Sequence, residues 1–163
     1  MHRLESRGRV DGMTSRTHGQ PPYGVAVIHG GPGAGGEMAP VARVLARRRG
    51  VLEPIQTADS VDGQVDELRD VLVQMAALPA ALVGFSWGAW LSFMLAARYP
   101  GLVRKLILVS SGPFVARYAT ELGATRMERL TGDERDAFES SREALSRGTA
   151  EERDEALARL GAL

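Results

Sequence analysis

Residues 81–88 read Ala81-Leu82-Val83-Gly84-Phe85-Ser86-Trp87-Gly88, and the parsing of this stretch decides the fold. Ala81 to Phe85 is apolar without polar alternation, as expected of a strand buried on both faces of a parallel sheet. Trp87 to Tyr99 then reads as a helix halted by Pro100-Gly101. Gly84-Phe85-Ser86-Trp87-Gly88 is therefore a Gly-x-Ser-x-Gly match at a strand-to-helix junction. A turn that sharp strains the serine backbone, and glycines two before and two after it remove side chains that would collide there. Ser86 is thereby presented to a ligand. The five-residue pattern recurs by chance as an ordinary surface turn, so its weight comes from the strand–turn–helix context.

Working outward, the same alternation repeats. Gly24 to His29 is a β-branched run that reads as a first buried strand, followed by the glycine-rich loop Gly30 to Gly36. Val41, Val44 and Leu45 then recur at helical spacing until Arg47-Arg48-Arg49-Gly50, where cations suit a helix C-terminus and glycine ends it. Val51 to Ile55 is a second strand, and Val61, Val65, Leu68, Leu72 and Met75 form the apolar stripe of a helix that stops before Pro79. Lys105 to Ser110 is a fourth strand. Strands alternating with helices imply a parallel α/β sheet, here of about four strands flanked by helices.

The two ends differ from this middle. Residues 1–22 lack a periodic apolar pattern and end in Gly19-Gln20-Pro21-Pro22, so they read as a mobile leader. After Pro113 the chain is charged and poor in β-branched residues, with helix-start signals at Thr131-x-x-Glu134 and Thr149-x-x-Glu152. Helices are expected near 115–129, 133–147 and 150–160. The domain reading is a leader at 1–22, a core at 23–114 and a helical segment at 115–163.

Composition excludes several function classes. The 163 residues carry 20 Lys+Arg against 20 Asp+Glu, so no positive field recruits nucleic acid or an anionic membrane. There is no cysteine, and His2, His18 and His29 are scattered, which argues against a metal site; no cofactor is expected. The first twenty residues lack a signal-peptide pattern, and the most apolar window, Trp87 to Ala97, falls short of the roughly 20 residues a spanning helix needs. The expected location is cytoplasmic.

The second chemical motif is His29-Gly30-Gly31-Pro32-Gly33, at the end of the first strand, where a doubly wound sheet gathers its ligand contacts. Together with Gly-Phe-Ser-Trp-Gly it resembles the α/β-hydrolase superfamily, and most closely its proline iminopeptidase-like branch, over residues 23 to about 115. The resemblance implies a partial α/β-hydrolase fold in which Ser86 is the nucleophile. It makes the backbone N–H groups of Gly31 and Trp87 the oxyanion hole, with His29, Gly30, Pro32, Gly33, Gly84 and Gly88 as motif support. It further implies a cis Gly31–Pro32 bond, a structural role for His29, and a lid after Pro113 whose lining could include Tyr118, Leu122 and Met127. The implied reaction is ester or amide hydrolysis through an acyl-serine, on a small-molecule ester or peptide-like substrate.

The pattern is incomplete. In this superfamily the acid and histidine follow the serine in chain order, yet His2, His18 and His29 all precede Ser86. Asp133, Asp136 and Asp154 lie in the lid-like helices with the spacing of solvated faces. The sequence reads as the N-terminal part of a hydrolase, truncated before its acid and histidine and weakly active or inactive alone. Its fourth strand would then be an unpaired sheet edge, open to self-association. Two other readings compete: a non-catalytic hydrolase-like protein that binds a small molecule or partner, and a dinucleotide-binding module. The latter rests on Gly31-Pro32-Gly33-Ala34-Gly35-Gly36 with Glu53 downstream, but Pro32 removes a backbone donor there and Glu53 falls mid-strand.

Overall fold

The computed structural model describes residues 5–10, 13–31 and 34–160. They form two compact units, Met1–Phe114 and Val115–Leu163. The first holds β1 (Glu5–Val10), β2 (Met13–His18), β3 (Tyr23–Ile28), α1 (Ala39–Leu45), β4 (Gly50–Ile55), α2 (Val61–Met75), β5 (Ala80–Phe85), α3 (Trp87–Arg98) and β6 (Val103–Val109). The second holds α4 (Arg117–Arg129), α5 (Gly132–Arg147) and α6 (Ala150–Leu160).

The sheet order is β1-β2-β4-β3-β5-β6. β4, β3, β5 and β6 run parallel, as their apolar runs require, while β1 and β2 add antiparallel at one edge. The four parallel strands are those expected from the sequence, and one expectation is corrected: the stretch read as a mobile leader contains two further strands, with Thr14 to His18 paired to β4. Hydrophobic periodicity misses β2 because its inward positions are polar: Ser15, Thr17 and His18 are all buried.

Alternation along the central strands divides the core. Ala26, Ile28, Leu52 and Leu82 point to one face, where they pack with Val65, Leu68, Val71 and Leu72 of α2 and Leu91 and Leu95 of α3. Val25, Val27, Val51 and Ala81 point to the other, against Met38 and Ala42 at α1. Truncating any fully buried leucine of the first cluster to alanine is expected to cost about 2–5 kcal/mol. The second face is thinly covered, since α1 has only 7 residues. It leaves a cavity of about 300 Å³ lined by the apolar Val25, Leu45, Ala81, Val83 and Ile107 and by the basic Arg49, Arg104 and Lys105.

The second unit is all helix. Thr131 and Glu134 form the capping box that the sequence signals, the Thr131 N–H donating to Glu134 Oε2 at 2.8 Å. The Thr149 N–H likewise donates to Glu152 at 2.7 Å. Those hydrogen bonds hold both glutamates below the usual carboxylate range. Among the described residues, no helix is long and apolar enough to cross a membrane.

Candidate active site

Ser86 occupies the single residue between β5 and α3, with φ 51° and ψ −115°. Serine is a favoured helix N-cap, but capping needs an extended backbone so that the hydroxyl can reach the next turn. At a positive φ the Ser86 side chain makes no capping hydrogen bond. Its backbone is nonetheless held: the N–H donates to the Val109 carbonyl at 2.9 Å and the C=O accepts from the Ala89 N–H at 3.1 Å. Strain of about 1–3 kcal/mol at such a residue persists only where the surroundings enforce it.

Those surroundings are glycine. A Cβ on Gly84 would meet the Gly88 carbonyl and stand 2.7 Å from the Ala89 Cα. One on Gly88 would meet the carbonyl oxygens of Ile28 and His29. The two glycines thus let the first turn of α3 press on its own strand and on the end of β3. Ser92 Oγ donates to the Gly88 carbonyl at 2.6 Å and closes that turn.

The loop after β3 reaches the same place. A Cβ at Gly30 would stand 3.5 Å from the Ser86 Cβ and 3.4 Å from the Phe85 ring. Among the described residues, nothing lies within 4 Å of where a side chain on Gly31 would begin. Pro32 and Gly33, and with them the expected cis Gly31–Pro32 bond, lie outside the described residues. Trp87 follows Ser86, and its indole N–H donates to Gln64 Oε1 at 2.7 Å while Gln64 Nε2 donates to the Ala58 carbonyl at 2.9 Å.

His29 sits at the end of β3 in register with Val25 and Val27, on the α1 face, whereas α3 packs on the opposite face. It is buried, and both ring nitrogens are engaged. Nδ1 lies 3.1 Å from the Gly30 carbonyl and Nε2 accepts from the Gln56 N–H at 3.4 Å. An accepting Nε2 places the proton on Nδ1, which donates to Gly30. Desolvation lowers the His29 pKa, against smaller opposing effects of the Gly30 hydrogen bond and of Glu37 and Glu53, so the ring is held neutral. The Gln56 side-chain amide is buried beside it, and neither of its polar atoms has a hydrogen-bond partner among the described residues.

His18 is committed elsewhere, with Nε2 2.9 Å from Glu53 Oε2. Glu53 is fully buried, and Arg16 lies 3.8 Å from it. The carboxylate needed for a dinucleotide ribose is thus spent inside the sheet. The Arg16 guanidinium also abuts Gly36, whose φ of 103° favours glycine. Asp133 and Asp136 belong to the second unit, where both sit on α5. In that unit Tyr118 and Leu122 line a cavity of about 700 Å³ with Glu121, Arg126, Arg129 and Glu134.

Sequence reasoning missed two residues at the site. Gln64 fixes the Trp87 ring, and Glu37 Oε2 accepts the Gly30 N–H at 2.9 Å. The signal for Glu37 was a lone carboxylate ending an otherwise side-chain-poor loop.

Known proteins share this architecture. The thioesterase domain from the curacin biosynthetic pathway is 22% identical with a TM-score of 0.57, over 95% of this chain and 66% of that one. VinJ is 20% identical with a TM-score of 0.71, over 95% of this chain and 59% of that one. E-2-(acetamidomethylene)succinate hydrolase is 23% identical with a TM-score of 0.59, over 78% and 52%. The chain therefore spans about 59% to 66% of the length of the first two structures. Among curated protein sequences there is no match. Residues 58–157, which include the Ser86 turn, match the family described as alpha/beta hydrolase fold. With the sheet order and the strained serine in agreement, the chain belongs to the alpha/beta hydrolase fold family.

Proposed function

We propose that this chain carries the nucleophile-bearing part of a serine hydrolase, acting on a small-molecule ester or a peptide-like amide. The observation that carries the reading is the backbone of Ser86: a serine at φ 51° between a buried strand and a helix, its hydroxyl excused from capping. In this reading Ser86 Oγ attacks the substrate carbonyl and the N–H groups of Gly31 and Trp87 receive the oxyanion. Preorganised donors of this kind are worth about 3–4 kcal/mol each in a water-excluded site. Collapse of the tetrahedral species expels the alcohol or amine and leaves an acyl-serine, which water then hydrolyses. Hydrolases among the structural neighbours fit this chemistry, although they share the fold alone.

The finer placement in the proline iminopeptidase-like branch rests on His29-Gly30-Gly31-Pro32-Gly33 and Gly84-Phe85-Ser86-Trp87-Gly88. A cytoplasmic site of action belongs to the same reading. The general base is not His29, since both of its ring nitrogens are occupied and it lies on the α1 face. That engagement favours a second reading, a hydrolase-like protein that binds such ligands without turnover.

The test is hydrolysis of p-nitrophenyl butyrate by the purified protein and by Ser86→Ala. Acyl-serine chemistry predicts release of nitrophenol that the substitution abolishes. Binding of the ester with no Ser86-dependent release, even stoichiometric, supports the non-catalytic reading instead.

A further inference from the structure

We infer that Glu37 is a positioning residue, whose carboxylate together with the His29 ring fixes the two peptide planes at Gly30 and so the direction of the Gly31 N–H that the proposed function uses as an oxyanion donor. The inference rests on that reading of Ser86 and Gly31 and deepens it.

Gly30 is held at both of its polar groups. Its N–H donates to Glu37 Oε2 at 2.9 Å, and its carbonyl accepts from His29 Nδ1 at 3.1 Å. The first bond fixes the peptide plane before Gly30 and the second fixes the plane after it. Glycine has the widest choice of backbone angles, so an unpinned Gly30 would let the following amide swing. In a trans peptide the N–H of one residue points opposite to the carbonyl of the residue before it. Holding the Gly30 carbonyl toward His29 therefore turns the Gly31 N–H the other way.

His29 alone would leave the preceding plane free. Glu37 closes that freedom, and it does so from the side of the elbow. A Cβ at Gly30 would stand 2.8 Å from Glu37 Oε2 and 3.5 Å from the Ser86 Cβ, so carboxylate and serine flank the same face of the glycine. Glu37 N–H donates to Ala34 O at 3.0 Å, and Ala34 N–H donates to Gly31 O at 3.2 Å. Glu37 is exposed and immediately precedes Met38, the N-cap of α1. Neither core packing nor a helix cap accounts for its side-chain conformation; the Gly30 amide does.

The experiment is phosphonylation of Ser86 by an alkyl phosphonofluoridate, followed by intact mass with saturation kinetics to separate the maximal rate from the affinity. Ser86 Oγ forms the new bond to phosphorus, the phosphorus–fluorine bond breaks, fluoride leaves and the hydroxyl proton passes to water. The phosphoryl oxygen takes the place of the substrate oxyanion. Glu37→Ala is expected to lower the maximal rate by on the order of 10-fold with affinity and melting temperature nearly unchanged, because the donor is misaimed rather than lost. Glu37→Gln keeps an acceptor without the charge and is expected to recover most of that rate.

An unchanged maximal rate in Glu37→Ala, or a loss confined to affinity, overturns the positioning role. So does failure of Glu37→Gln to recover when its melting temperature matches the wild type. If Glu37→Ala does not fold, Glu37→Asp, too short to reach Gly30, carries the same expected loss. If the wild-type protein labels at a residue other than Ser86, or not at all, the proposed function fails and this inference falls with it.

Discussion

Gly88 lies against His29 so closely that a side chain on the glycine would run into the histidine's carbonyl oxygen. This contact joins the helix that begins at Ser86 to the strand that ends in the glycine-rich loop. The Ile28 carbonyl is equally close, so the obstruction is backbone that cannot rotate away. Gly88→Ala is expected to destabilise the protein by roughly 3 kcal/mol through overpacking, read as a lower midpoint in urea. Gly31→Ala, with no described residue within 4 Å of its Cβ, is expected to change the unfolding free energy by no more than about 0.5 kcal/mol.

His29 makes stability depend on pH. Burial lowers its pKa in the folded protein below the ordinary 6.5. As pH falls from 6.5 toward that lowered value, the unfolded chain takes up a proton that the folded protein refuses, so stability is lost with acid. Above 6.5 the contribution is complete and flat. Urea unfolding at pH 5.5 and 7.5 should show a larger difference for the wild type than for His29→Gln, and equal differences would contradict the neutral ring.

Much of this was legible in the sequence, and the failures share a cause. The apolar runs located β3, β4, β5 and β6 to within two residues, because strands of a parallel sheet are predominantly apolar, and β6 keeps that pattern although its residues are largely exposed. The Thr-x-x-Glu pairs located α5 and α6 for an equally local reason, two side chains closing on two backbone groups. β2 escaped because its buried residues are the polar Ser15, Thr17 and His18, and the His18 ring meets Glu53, 35 residues further along the chain. Glu53, charged in the middle of a buried strand, was the clue that such a partner existed. Glu37 escaped for the opposite reason: an exposed acid in a loop looks solvated until the loop folds back and offers it the Gly30 amide.

The buried Glu53 pair should be costly to break. Glu53→Ala leaves His18 and Arg16 without their carboxylate in a closed part of the sheet, and removal of one partner of a buried pair costs about 3–5 kcal/mol. Denaturation of the variant should show that loss, with the β2 amides losing hydrogen-exchange protection before those of β5.

The β6 edge is expected to associate. Among the described residues β6 pairs only with β5, and Ile107, Leu108 and Val109 are exposed. Antiparallel pairing of two β6 strands centred on Leu106 would set Lys105 of each copy opposite Ile107 of the other, so like charges do not meet. Light scattering behind size exclusion should report dimers or larger species that dissociate in Ile107→Lys. A monomer at high micromolar concentration would count against it.

Whether Ser86 is a nucleophile is tested most directly by peptide mapping with mass spectrometry after exposure to an alkyl phosphonofluoridate. A nucleophilic Ser86 gives a single phosphonyl adduct on the peptide containing it, absent from Ser86→Ala. An adduct that persists in Ser86→Ala, or maps to another residue, would contradict that role.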